Sequence, residues 1–309
     1  MSRAPSWARR STPARSRSPP RSTSPASRPV ADGQPRRAAD SAGRPWEGRS
    51  FDHHDTAYAH DDGSAPAGFV DAVRALADGS GGRSAVVDAL RGARLLVPLL
   101  AAAGETSVDE RGRTVDKTQE LSIVTVLGPD GRPILPMFSS VDGMRGWNAA
   151  ARPVPTGIDR AAAAALDGPG RIVVDPGAAT EVVLTRTMLE ALLTDAPWTW
   201  GVEDPAVQGA VVDAMLGQPA VQAVVLATGD PRSTLAGADL EVHALVDAAP
   251  DAAEQVQRAA AALADAELVR ERIDSVAVRV HRWDGGAARL PLRAPAVLVV
   301  TRAEREAAR

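Results

Sequence analysis

Apolar positions recur every three to four residues near the start of the globular pattern, where Phe69, Val70, Val73 and Leu76 share one helical face and Gly79 supplies the stop. Val86, Val87 and Leu90 mark a second short helix. The period then falls to two. Arg94 to Ala101 reads as an apolar strand, and Leu121 to Leu127 alternates with apolar residues toward both faces, the pattern of a strand covered on both sides. Pro129-Asp130-Gly131 provides the fixed φ, the turn-forming carboxylate and the positive-φ residue of a tight reversal, so Pro133 to Phe138 should return antiparallel. Ser139 with Asp142, Thr156 with Asp159 and Thr187 with Glu190 have capping-box spacing and predict three helix starts. Arg171 to Val174 and Thr180 to Leu184 flank Asp175-Pro176-Gly177 as strand, turn and strand. A mixed sheet of about five strands, ending near Asp195, is the expected outcome.

A second unit follows. Asp204 caps a helix with Pro205 first, Val207, Val211 and Met215 facing inward and Gly217 beyond its end. Val221 to Ala227 is a continuous apolar strand, and Leu240, Val242, Ala244 and Val246 line one face of the next. A helix from about Pro250 to Glu267, an alternating strand through Val276, Val278 and Val280, and a last strand from Ala296 to Thr301 complete it, the helix covering the valine face. Gly229 to Thr234 lacks the glycine spacing of a phosphate cradle and reads as a wide surface loop. The expected fold class is α/β (α+β): two small mixed-sheet domains, 66–196 and 197–309, preceded by a disordered tail and linker over 1–65.

Charge separates these parts. Residues 1–50 hold 11 Arg against Asp32, Asp40 and Glu47, a net +8, whereas the remaining 24 basic and 36 acidic side chains leave 51–309 at −12. The acidic body would repel a phosphate backbone, so nucleic acid is expected only through the arm, at pairs such as Arg15-Ser16 and Arg17-Ser18. Absence of Cys excludes disulfides, thiolate metal sites and cysteine nucleophiles. No apolar run has the length of a membrane-spanning helix, and Arg9-Arg10 is followed by Ser, Thr and Pro rather than the apolar stretch of an export signal, so a cytoplasmic chain is expected. His53, His54, Asp55, His60, Asp61 and Asp62 carry metal-ligating groups, but without periodicity the stretch reads as a solvated linker; no metal and no cofactor is expected.

Candidate chemistry is sparse. Lys117, the only lysine, stands between Asp116 and Glu120, which would hold its ammonium charged and favour an ion pair over Schiff-base chemistry. Its acidic loop, 102–119, is the expected place for partner contact. Trp198 and Trp200 face one way along a hinge, placed either to stack on a ligand or to wedge between domains. Strand alternation puts Glu241 and His243 opposite the apolar face of one strand, and Arg279 and His281 opposite that of another. If these strands are neighbours, the four form an acid, imidazole and guanidinium group able to bind an anion or move protons; otherwise they solvate a sheet face. No nucleophile elbow, zinc-binding helix or dinucleotide fingerprint occurs.

Arg94-Leu-Leu-Val-Pro-Leu-Leu100, Asp116-Lys117 before the hairpin, Met137-Phe-Ser-Ser140, Arg152-Pro-Val-Pro155 and Val174-Asp-Pro176 together resemble the SseB (enhanced serine sensitivity) family in its actinobacterial form. The resemblance covers 83–195 as the N-terminal domain and, more weakly, 203–303 as the C-terminal one. It implies a cytoplasmic bacterial α/β protein with no catalytic residues to carry across. The function expected is a non-catalytic binding or regulatory protein engaging a protein partner or small metabolite. The alternatives are an enzyme with an interdomain site of scattered carboxylates and histidines, and RNA association through the arm.

Overall fold

A computed structural model describes residues 58, 60–101, 107–108, 114–115, 121–286 and 288–307. Helix α1 (Ala67–Asp78) buries Phe69, Val73 and Leu76 and stops where Gly79 turns left-handed at φ +79°. Helix α2 (Arg83–Leu90) leads into β1 (Arg94–Ala101). The segment expected as an acidic loop contains a short antiparallel ladder, β2 (Ser107–Val108) with β3 (Thr114–Val115). Its neighbour, expected as one strand, is divided: β4 (Leu121–Ile123) pairs with β1, and β5 (Val126–Leu127) pairs with β6 (Pro133–Met137). The break at Val124 and Thr125 lets the chain leave one sheet and enter another. The reversal between β5 and β6 closes as expected, with Gly131 at φ +75°.

Helix α3 (Val141–Trp147) is followed by β7 (Arg152–Gly157), α4 (Ile158–Leu166), β8 (Ile172–Val174), β9 (Val182–Leu184) and α5 (Arg186–Thr194). All three capping boxes are displaced. Ser140, not Ser139, accepts from the Gly143 N–H; α4 begins after Gly157; and α5 begins at Arg186 with Thr187 already inside it. Ser139 instead donates both its N–H and its hydroxyl to the buried Asp175 carboxylate, which also receives the Thr180 hydroxyl. A structural carboxylate has claimed the hydroxyl that the spacing assigned to a cap. Strand β7, with Pro153 and Pro155, was not expected as a strand; it lies at the edge of the sheet β4-β1-β7, where missing N–H donors cost no ladder bonds.

In place of one five-stranded sheet, this half therefore has the sheet β4-β1-β7 and the sheet β5-β6-β8-β9, joined where Leu96 and Phe138 exchange backbone hydrogen bonds of 2.8 and 3.0 Å. Helices α1, α2, α4 and α5 cover one side, packing on Leu95, Leu135, Met137, Val174 and Leu184. Ile134, Val173 and Val183 make a small apolar patch of their own on the four-stranded sheet, with Val126 and Leu235 packed against it.

In the second half α6 (Pro205–Leu216) starts at Asp204, whose carboxylate accepts from the Ala206 N–H. Then come β10 (Val221–Ala227), β11 (Leu240–Val246), α7 (Ala252–Asp265), α8 (Glu267–Arg272), β12 (Val276–Arg282), β13 (Leu298–Thr301) and α9 (Arg302–Ala307). The sheet runs β12-β11-β10-β13, with β11 and β12 parallel and the other pairs antiparallel. Its core joins Val224, Leu226, Val242 and Ala244 to Val211, Met215, Val256, Leu263 and Val269. The helices do not cover the whole valine face of β12: Val278 reaches the core, whereas Val276 and Val280 stay exposed because β12 is an edge strand.

The largest departure is the loop over 228–239, which is an internal clamp rather than a surface loop. Asp230 and Ser233 are buried. The Val183 N–H donates to the Ser233 carbonyl at 2.6 Å, and the Ser233 hydroxyl donates to the Val183 carbonyl at 2.9 Å, so the loop extends β9. Leu235 covers the patch of Ile134, Val173 and Val183. Ser233 and Leu235 both have φ above +50°, a strained choice for side-chain-bearing residues. Asp230 holds them there, its carboxylate accepting the N–H groups of Thr234, Leu235 and Ala236 at 3.0, 2.8 and 3.3 Å. The loop's ends pinch so closely that a Cβ on Gly237 would lie 2.3 Å from the Gly229 carbonyl oxygen. Residues 63–309 thus belong to one compact unit.

Candidate functional site

Beside the clamp is a cavity of about 410 Å³ with walls from both halves. The first half contributes Arg83, the β5–β6 turn with Asp130 and Arg132, and Arg171, Thr185 and Arg186. The second contributes Asp230, Asp239, Arg270, Asp274 and Ser275. A volume at the low end of the roughly 300–1,000 Å³ usual for ligand sites suits a small molecule.

The wall begins with Arg83, whose side chain is only 3% exposed and donates to Asp239 Oδ1 at 2.5 Å and to the Asp230 carbonyl. Trp200 Nε1 donates to the same Asp239 oxygen at 2.9 Å, and the Arg83 guanidinium lies 4.3 Å from the Trp200 ring centroid. Across the cavity Arg171 pairs with Asp130 at 2.6 Å. Desolvation pushes the Asp130 carboxyl upward, but hydrogen bonds from Arg171 and the Arg132 N–H outweigh it and hold the group below its ordinary value. Arg186 is engaged by Glu190 and by the Arg270 carbonyl.

Asp274 is the perturbed acid of the site. Its surface opens to solvent, yet desolvation by the surrounding wall raises its carboxyl above the ordinary value, helped by the charge of Asp239 and opposed by hydrogen bonds from Thr185 and the Arg186 N–H. The cavity therefore combines fixed guanidiniums with a carboxyl whose affinity for its proton is raised.

The sheet alternation does assemble its four residues. On adjacent strands β11 and β12, His243 is register partner to Arg279 and Leu245 to His281. Arg279 donates to Glu241 Oε1 at 2.8 Å, and the His243 and His281 rings stack at 5.1 Å with Nδ1 of the first 2.9 Å from Nε2 of the second. His243 Nε2 lies 3.6 Å from Glu241 Oε2. A lone pair there would face a carboxylate, so the neutral arrangement is His281 donating to His243 and His243 turning its Nε2–H toward Glu241. Desolvation lowers both imidazoles, His281 adding to the effect on His243 and Arg279 to that on His281. Desolvation also raises the Glu241 carboxyl, but Arg279 dominates and keeps it low. Beside them Trp283, Leu290 and Leu292 pack over Ala223, Val225 and Leu245 on the same sheet. None of the four residues lines the 410 Å³ cavity.

Trp198 and Trp200 sit at the junction of the halves. Trp198 packs on the first core and donates to the Thr187 hydroxyl at 3.3 Å; Trp200 packs on the second core. Asp116, Lys117 and Glu120 lie outside the described residues, as do His53, His54, Asp55 and the arm. Among the described residues, no group of three His, Asp or Glu side chains has metal-binding geometry, and no helix is long and apolar enough to cross a membrane.

Sequence reasoning missed Arg83, Arg132, Arg171, Arg186, Arg270 and Asp274. An arginine in an arginine-rich chain carries no signal of its own, and the turns at 130–132 and 169–171, the starts of α2 and α5, the clamp loop and the α8–β12 segment meet here. The usable hint was the clamp segment, GDPRSTLAGADL, bracketed by glycines and by two aspartates.

Two mixed layers of sheet and helix, with a cavity at their junction, define an α+β architecture. Residues 70–191 match the family model described as SseB protein N-terminal domain, so the chain carries an SseB-family N-terminal domain. Comparison with curated proteins and with solved structures gives no match. The matched range supplies the first wall of the cavity; the second comes from beyond it.

Proposed function

We propose that this is a non-catalytic binding or regulatory protein that holds a small metabolite in the cavity between modules 66–196 and 197–309. The supporting observation is that one concave site is shared by both modules, walled by the turn at Asp130 and Arg132 on one side and by Arg270 and Asp274 on the other. Filling it would cross-brace the modules, so occupancy would change the surface offered to a protein partner. A cytoplasmic location and an actinobacterial type rest on sequence, through the non-apolar residues after Arg9-Arg10 and the motifs around Arg94 and Val174.

A metabolite extract screened by thermal shift and ligand-retention mass spectrometry tests this. A ligand stabilising the native chain should lose its effect in Ala238→Trp, which fills the cavity, and in Pro169→Trp at another wall position. Stabilisation unchanged in both variants, or none from any fraction, defeats the reading.

A further inference from the structure

We infer that the cavity selects a small anion, with a phosphate or carboxylate group seated between Arg132 and Arg270. This inference rests on the cavity being the binding site, and it concerns the chemical class admitted there.

The argument is one of charge matching. Five arginines and four aspartates line the cavity, so it is locally cationic within a body of net charge −12. Most of the aspartates are already used. Asp239 is taken by Arg83 and Trp200, Asp130 by Arg171, and Asp230 by three backbone N–H groups and the Thr234 hydroxyl. Arg186 is held by Glu190. Arg132 and Arg270 remain, exposed, with no side-chain hydrogen bond or salt bridge among the described residues. Asp274 accepts hydrogen bonds from the Thr187 hydroxyl, Thr185 and the Arg186 N–H, and no arginine side chain forms a salt bridge with it.

Buried donors point the same way. Arg83 and Arg171 both line the cavity, and each keeps a buried Nε–H without an acceptor. Unmet buried donors are costly, and a ligand oxygen admitted beside them would supply an acceptor, most strongly if it were charged. Two guanidiniums facing one cavity match the planar, paired oxygens of carboxylate and phosphate.

Thermal shift and calorimetry on the full chain, at constant ionic strength set with chloride, would use inorganic phosphate, succinate, an uncharged polyol and a diamine as probes. Phosphate or succinate should stabilise the native protein, and Arg132→Gln and Arg270→Gln should each weaken that affinity roughly tenfold or more, the loss of one charge-assisted contact. Phosphate binding without succinate binding assigns the tetrahedral anion; the reverse assigns the carboxylate. The two variants replace exposed side chains and should melt close to the parent without ligand. Anion binding unchanged in both variants, or no anion effect at all, overturns the inference. A neutral or cationic metabolite that binds, is blocked by Ala238→Trp and ignores both arginine variants also overturns it, while leaving the cavity as the binding site.

Discussion

Arg83 and Asp239 lie 156 residues apart in sequence and 2.5 Å apart in space. Their side chains are 3% and 7% exposed. The pair therefore joins the start of α2 to the residue before β11 inside a layer from which water is largely excluded. Removing one partner would strand a buried charge, an expense of about 3–5 kcal/mol. Arg83→Met should lower unfolding stability by that order in denaturant titration. The double variant Arg83→Met with Asp239→Leu should lose clearly less than the sum of the two singles, with a coupling above about 1 kcal/mol. Additive losses would show that the two charges act independently.

Leu235 is expected to matter beyond its own contacts. Leu235→Ala uncovers Ile134, Val173 and Val183 and should cost about 2 kcal/mol. Hydrogen exchange should show the Val183 amide, which donates to Ser233 in the same loop, losing protection before the amides of α4 do. Equal loss across the first half would indicate global destabilisation instead of release of the clamp.

The imidazole pair gives a signed pH dependence. Both folded histidines titrate below the ordinary 6.5, so the unfolded chain takes up protons first as pH falls through that value. Stability contributed by the neutral pair is complete above 6.5 and is lost from there down through the depressed folded values. His243→Gln, which removes the more deeply buried ring, should flatten the fall in melting temperature over that window, and NMR should show His281 still titrating below 6.5, held there by desolvation and Arg279. An unchanged pH profile would place the dependence elsewhere.

Asp274 carries the opposite sign. Its folded carboxyl binds protons more tightly than the unfolded one, whose ordinary value is 3.8, so its charge opposes folding above the raised value and that opposition fades as pH drops toward 3.8. Asp274→Asn keeps an acceptor for Thr185 and Arg186 while removing the charge. It should raise the melting temperature at pH 7 and have little effect near pH 3.5. A lower melting temperature at pH 7 would mean that the carboxylate is favoured there.

Legibility in the sequence followed the range over which each feature is decided. The helix through Phe69 and Leu76, the turn at Gly131 and the opposed faces of Val242 and His243 are set by residues within one element, and the pattern shows them. The capping serine was displaced by one because Asp175, which binds Ser139, is 36 positions away. Strand β7 was hidden by Pro153 and Pro155, whose disruptive effect disappears at a sheet edge, a location no local window reveals. The cavity was wholly illegible, since Arg83, Arg132 and Arg270 acquire a common role only when chain-distant segments meet. The face bearing Glu241, His243, Arg279 and His281 was readable as a grouping, but its position away from the cavity was not.

Because Leu235 belongs to the second half while the patch it seals belongs to the first, the first half does not own a finished interior. A fragment cut at 196 would enter solution with a raw greasy flank and should self-associate or fall to proteases. The two pieces made together, in contrast, should find each other and reassemble, since the missing cover is carried on the companion chain.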